Sequence, residues 1–343
     1  MTEYPIMSAA GGLDVSHLHR LWARRVGPDG NRTPPDPVTE ALDWALDRLV
    51  IFGLGLGLHE TLQFLLSRRP SFPAFQAWIL ESHGGVVEPA RIARVNAAVA
   101  RALAPEASPT SGWPADGVPV LDESDLACWS ERGYVVIPDS VPRAACQAAE
   151  RAIWDYLGAD PNAPDSWYDG TGREGITVTL VRHPAFDENR RSPRIRAAFA
   201  QLLGTHELQV TVDRGGFNPP ERSNWRFPGS DLHWDTSIAP PMPLQVQGIL
   251  YLTDTPADQG AFRCVPGFHR RLDTWLAGLP AGVDPRAHDF SAEAVPLAGK
   301  AGDFIIWHAA LPHGASPNRG TRPRMVQYIN FTPTDRIDRR PWR

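Results

Sequence analysis

The stretch "DLHWDTS", residues 231–237, sets His233 and Asp235 two positions apart. Side chains on a strand alternate faces, so these two would point one way and Trp234 the other. An imidazole nitrogen and a carboxylate oxygen placed like this can grip one metal ion. A third donor must come from elsewhere, and "GDFIIWHAALPHGASPNRGTRPR" (302–324) offers His308 and His313. Two histidines and one carboxylate form the facial donor set of mononuclear non-haem iron(II) centres, which leaves coordination positions open for reactants. Arg324 follows His313 by eleven residues, across the turn "GASPNRG" and into a last strand. Its planar fork suits a bidentate bond to a carboxylate. That is the group 2-oxoglutarate presents at the end away from a metal. An H-x-D pair alone is more often a structural couple or a strand-end turn. The late histidine and the arginine after it are what raise this one above that reading.

The elements that must position these groups differ along the chain. Residues 1–35 are rich in Gly, Pro and Arg and read as an irregular arm. From Asp36 to about Ala104 the apolar period is helical. "DPVTEALDWALDRLV" has Asp36 as an N-cap, Pro37 at the first helical position and Glu40 in the first turn. "LHETLQFLLSRR", "SFPAFQAWILES" and "EPARIARVNAAVARAL" follow with three- and four-residue spacing, which predicts about four helices. "APEASPTSGWPADG" (104–117) breaks the pattern and reads as a linker between a helical extension, 1–117, and a second domain, 118–343.

That second domain opens with a short helix and strand in "DESDLACWSERGYVVIP" and a helix in "VPRAACQAAERAIWDYLG". Strand-like stretches then dominate: "GITVTLV", "ELQVTVDRGG", "DLHWDTS", "LQVQGILYLTD", "AFRCVP", "GDFIIWHA" and "RMVQYINFTP", interrupted by the helical "SPRIRAAFAQLLG". Short strands rich in β-branched and aromatic residues and punctuated by Gly and Pro predict a sandwich or small barrel.

Composition bounds the partners. A net charge of -5 with no long basic run gives no sign of a nucleic acid or an anionic membrane. Three cysteines, Cys128, Cys146 and Cys264, are an odd and scattered set, which suits a reducing compartment rather than a disulfide framework. The start lacks the basic and apolar regions of a secretory signal. The most apolar run, Leu49 to Leu58, falls short of the ~20 residues that span a bilayer. The expectation is a cytoplasmic protein acting on a small molecule.

"LHWDTS", "VQGILYLTD…DQGAFRCVPGFHR" and "GDFIIWHAALPHGASPNRGTRPR", in that order, resemble the phytanoyl-CoA dioxygenase family of iron(II)/2-oxoglutarate oxygenases. "CWSERGYVVIPDSVP" resembles the opening of that family's catalytic domain, and the likeness spans about Val118 to Thr334. The resemblance implies a double-stranded β-helix, a jelly roll of cupin type, here with flanking helices and the N-terminal helical extension. It implies iron(II) held by His233, Asp235 and His313, with Arg324 binding 2-oxoglutarate, and O2 as the oxidant. Hydroxylation of a C–H bond with release of succinate and CO2 is the default outcome it implies. Halogenating relatives replace the carboxylate ligand by Gly or Ala, so Asp235 disfavours that chemistry. Many relatives carry a serine two residues after the distal histidine, where this chain has Ala315.

Several residues compete for roles. His308 sits next to Trp307 inside a strand and reads as a packed histidine, whereas His313 sits where a barrel-mouth ligand belongs. Arg322 reads as a turn residue beside Arg324. Gln247 and Tyr251 share one strand face and could meet the cosubstrate or simply fill the barrel. Trp225 and Arg226 lie on the long approach to the metal segment, where substrate could meet them. Two other readings keep the fold: a cupin-type isomerase or lyase that dispenses with 2-oxoglutarate, and a non-catalytic binding protein. The helical first third carries no chemical motif and could serve as a lid, a packing buttress or a homodimer interface.

Overall fold

The computed structural model describes residues 12–27, 36–104, 118–229 and 232–343. Residues 1–11 and 28–35 of the expected arm, residues 105–117 of the expected linker, and Ser230 and Asp231 lie outside them. The chain divides into two units. One comprises residues 1–114, 204–212 and 332–343, and the other residues 115–203 and 213–331.

Helices dominate the first unit: α1 (Leu18–Val26), α2 (Pro37–Gly53), α3 (Leu58–Arg68), α4 (Phe72–Glu81) and α5 (Pro89–Leu103). The four predicted between residues 36 and 104 are α2 to α5. Asp36 caps α2 as its sequence requires, accepting from the backbone N–H groups of Val38 and Thr39. Leu18, Leu21, Leu46, Val50, Leu65, Phe75, Ile79 and Val99 form its buried core. The unit also takes in β4 (Leu208–Val210) and the C-terminal residues from Thr332, which include most of β12 (Phe331–Pro333).

Helix α1 falls where an irregular arm was expected. The reason lies on its neighbour. Asp43 and Asp47 of α2 are almost fully buried, and buried carboxylates require partners. Arg20 forks onto Asp43 at 2.6 and 2.7 Å, and Arg24, Arg25 and His17 reach Asp47 at 2.8, 3.1 and 2.9 Å. An arginine-rich segment that is a poor helix by itself is thus ordered by acids from a helix twenty residues on.

The second unit begins with α6 (Glu123–Arg132), whose Asp122 and Asp125 form a capping box, and β1 (Tyr134–Ile137). Helices α7 (Arg143–Leu157), α8 (Pro184–Arg190) and α9 (Pro193–Leu203) follow, with β2 (Arg173–Glu174) and β3 (Thr177–Val178) after α7. Then come β5 (Gly215–Asn218), β6 (Val246–Tyr251), β7 (Phe262–Cys264), α10 (Leu272–Ala277), β8 (Val295–Leu297), β9 (Phe304–His308), β10 (His313–Ala315) and β11 (Arg324–Tyr328). Helix α8 was not predicted; His183 caps it, its Nδ1 accepting from Ala185 N–H, which gives that histidine a structural role.

A seven-stranded antiparallel sheet has the order β1-β9-β6-β11-β5-β3-β2, and a three-stranded sheet the order β10-β7-β8. His233 adds to the free edge of β10 through a two-residue bridge with His313. From β5 onward the chain crosses from sheet to sheet at every step but one, β7 to β8: β5, β6, β9 and β11 lie in one, and the His233 segment, β7, β8 and β10 in the other. This winding accords with the expected double-stranded β-helix. One core joins them, with Ile249, Tyr251, Ile305, Trp307 and Val326 from the large sheet and Phe262, Cys264 and Leu297 from the small one.

Two strands were overpredicted. "GITVTLV" is extended only at Thr177 and Val178. "DLHWDTS" is not a regular strand, since pairing stops at His233 and the chain bends through Asp235 and Thr236. Pro240, Pro241 and Pro243 follow, and prolines cannot donate to a ladder.

Candidate metal centre

His233 and His313 exchange both backbone hydrogen bonds, His233 N–H to His313 O at 3.0 Å and His313 N–H to His233 O at 3.1 Å. The bridge sets their rings side by side, with centroids 5.0 Å apart. Asp235 closes the group. Its Oδ2 lies 3.1 Å from His313 Nε2 and its Oδ1 3.5 Å from His233 Nε2. One donor atom from each of the three falls within 4.8 Å of the others. The bend at Asp235, rather than strand alternation, brings its carboxylate back onto the two imidazoles.

The surroundings of each group are matched to holding a cation. His313 is buried, and its Nδ1–H donates to Leu311 O at 2.9 Å. That bond fixes the tautomer and leaves Nε2 with its lone pair toward Asp235. The His313 ring packs against Phe262 and Trp307. Asp235 has a side chain 52% exposed, so the group is walled on one side and open on the other. Partial burial works against its charge, and hydrogen bonds from His233 and His313, where their Nε2 atoms carry protons rather than face an ion, outweigh that and hold the carboxyl well below the usual range. Gln247 Nε2–H donates to Asp235 Oδ2 at 2.7 Å, so this residue steadies a proposed ligand from the next strand. Trp234 points the other way, as expected: it is buried and donates its indole N–H to Ala310 O at 2.8 Å.

Arg324 opens β11 and is 1% exposed. Its Nε and Nη1 are buried with no hydrogen-bond partner. A buried guanidinium with two unmatched donors is costly unless an anion fills the place. Gly216, paired with Val326 on the adjoining strand, leaves it room, since a Cβ there would stand 2.7 Å from Val326 and 3.4 Å from Arg324 Nη1. Tyr328 shares the Arg324 face of β11, hydrogen-bonds the Arg324 guanidinium and lies within electrostatic reach of Asp235. Sequence reading passed over Tyr328, although alternation along "RMVQY" puts residues 324, 326 and 328 on one face.

The other candidates are placed elsewhere or differently. Tyr251 lies in the core, but its hydroxyl donates to Leu297 O at 2.7 Å and accepts from Phe262 N–H at 2.9 Å. It therefore has no proton left for a cosubstrate carboxylate, and burial pushes its phenol up to about 12. Tyr251→Phe is expected to lower stability by about 1–3 kcal/mol, by stranding those two backbone groups. Half-saturation for 2-oxoglutarate should stay within about twofold, and a large rise would restore Tyr251 as a cosubstrate contact. Arg322 stays on the exposed turn. Trp225 packs edge-on to Tyr168 at 5.7 Å.

His308 belongs to a different cluster, with Trp129 and His269 at 6.0 and 5.2 Å between centroids and its Nδ1 accepting from Ala310 N–H. Burial, with His269 adding to it, lowers its pKa to about 4. The unfolded chain takes up this proton near pH 6.5 and the folded chain only near pH 4. Stability is thus full above 6.5 and falls as pH drops through that window, by about 3 kcal/mol at most. In His308→Phe the pH dependence of the unfolding midpoint between pH 6.5 and 4 should flatten. An unchanged slope would show that other groups carry it.

The phytanoyl-CoA dioxygenase (PhyH) family model matches residues 129–326, more than half of the chain. A curated relative from Dictyostelium discoideum, provisionally named a phytanoyl-CoA dioxygenase, is 21% identical over 258 residues, 60% of this chain and 74% of that protein. Among solved structures, EctD from S. alaskensis in its apoform is 18% identical with a TM-score of 0.47, covering 68% of this chain and 84% of that one. The epimerase SnoN, solved with Fe3+, alpha ketoglutarate and nogalamycin RO, is 19% identical with a TM-score of 0.45, covering 62% and 83%.

Proposed function

The chain belongs to the phytanoyl-CoA dioxygenase family, and from that premise we propose that it hydroxylates a C–H bond of a small-molecule metabolite, releasing succinate and CO2. Iron(II) and 2-oxoglutarate are the metal and cosubstrate of this family of enzymes, with O2 as oxidant. His233, Asp235 and His313 would hold the iron, and Arg324 the far carboxylate of 2-oxoglutarate. The observation that carries the reading is the presence in one unit of a two-histidine, one-carboxylate cluster and a buried arginine with two unmatched donor nitrogens. An isomerase or lyase without 2-oxoglutarate would give those donors no use.

When bound, the iron supplies O2 activation coupled to oxidative decarboxylation of the 2-oxo acid, chemistry that belongs to the metal and cosubstrate. The protein's own residues do the rest. His313 presents Nε2 because Leu311 holds its other nitrogen, and Gln247 fixes the rotation of the Asp235 carboxylate. Phe262 and Trp307 keep water from the buried side of His313. Arg324 would hold one carboxylate of a dicarboxylate by its fork. A reducing, cytoplasmic setting suits three cysteines that are free, and no helix among the described residues is long and apolar enough to cross a membrane.

The test is anaerobic loading of the chain with iron(II) and 2-oxoglutarate, followed by O2 and quantitation of succinate across a metabolite panel. Iron-dependent succinate formation, stimulated by one compound that gains a hydroxyl, is the expected result. Absence of any iron-dependent succinate would overturn the reading.

A further inference from the structure

The segment that bears Asp235 is not held by a strand ladder, because its pairing ends at His233. A bend left to itself would let the carboxylate wander, and metal ligands need support from residues behind them. That support comes from residues 265–294, the excursion between β7 and β8. It contains α10 and a 3-10 turn at Pro285–Ala287, which Asp284 caps by accepting from Arg286 N–H. From this turn Arg286 reaches back. Its Nη1 donates to Trp234 O at 2.8 Å and its Nη2 to Thr236 O at 2.7 Å. The two carbonyls are those on either side of Asp235. The same excursion supplies Phe290, Phe268 and Trp275 around the Trp234 ring, at 5.5, 5.9 and 6.1 Å between centroids. On the far side, Thr236 donates its hydroxyl to Gln245 Oε1 at 2.6 Å.

We propose that Arg286 is a positioning residue for the metal centre: its guanidinium clamps the backbone on both sides of Asp235 and so fixes where that carboxylate meets the ion. The proposal rests on the reading of Asp235 as a ligand. A planar fork is pre-organised to span two carbonyls with little entropy lost, whereas a lysine ammonium, though it has three donors, rides on a flexible stem that fixes neither bond. The clamp's two bonds go to main-chain carbonyls, so it acts on affinity and geometry while the donor set is left as it is.

The test uses the full chain stripped of metal, with manganese(II) titrated calorimetrically and cobalt(II) as a spectroscopic probe. Arg286→Ala is expected to weaken manganese binding by about ten- to a hundred-fold, the usual effect of losing a group that supports a ligand. The visible bands of the cobalt(II) form should shift, and thermal unfolding of the metal-free chain controls for general damage. Arg286→Lys should fall between wild type and Arg286→Ala, and it carries the test if the alanine variant does not fold. Wild-type isotherms and an unshifted cobalt(II) spectrum in the variants would overturn the clamp. Asp235→Ala separates the two ideas. If it binds manganese like wild type, the ligand assignment fails and the clamp with it. If it loses binding while both Arg286 variants keep theirs, the clamp alone falls.

Discussion

Asp235→Ala is expected to leave a folded chain that retains no iron(II) after desalting and forms no succinate above the metal-free background. Asp235 is the one anionic member of the cluster. Without it two neutral imidazoles face a divalent cation with no charge to offset, and the three-point facial grip becomes a two-point one. The fold should tolerate the change. The side chain is 52% exposed and its partners, Gln247, His233 and His313, keep contact with solvent or backbone. Metal content after loading and gel filtration, with succinate by mass spectrometry, measures both effects. A variant that keeps one equivalent of iron and a sizeable fraction of turnover would show that the ligand set is wrong.

Arg324→Met should separate cosubstrate from metal. Methionine keeps the apolar length of the side chain and removes the fork. Truncating one partner of a buried charge pair costs about 2–5 kcal/mol, so half-saturation for 2-oxoglutarate should rise about a hundred-fold or more. Manganese affinity should change little, because Arg324 bonds none of the three cluster residues. The same variant should be as stable as wild type, or more so, when no 2-oxoglutarate is present. A buried guanidinium with two unmatched donors is a burden that a well-packed apolar group relieves, offset in part by the hydrogen bond Tyr328 loses. Equal 2-oxoglutarate dependence in the two proteins would return Arg324 to a packing role.

Much of this site is legible in the amino-acid sequence. His233, Asp235 and His313 stand out because residue type and spacing encode donor chemistry directly, and Arg324 because a cation follows the distal histidine at a fixed reach. What the pattern hides is how Asp235 arrives. Alternation on a strand gives the right facing for a wrong reason, since a bend before a run of prolines does the work. Arg286 is invisible to any local window. It lies about fifty residues from the carbonyls it holds, and a bond to a backbone oxygen leaves no mark on the identity of the residue that accepts it. Helix α1 is hidden for a related reason: its arginines look like a solvated arm until Asp43 and Asp47 are known to be buried. Tyr251 shows the opposite failure. Its position on the right face is legible, but whether its hydroxyl is free depends on Leu297 and Phe262, which only folding brings near.

The mutual backbone bonds of His233 and His313 have a consequence for metal loading. In domains whose donors are scattered until the ion arrives, the metal is part of the folding reaction, and chelation unravels them. Here two donors are already locked edge to edge by main-chain amides, eighty positions apart in the chain. If these are metal donors, chelation should leave the chain folded, and renewed addition of iron(II) should restore the centre without an unfolding step.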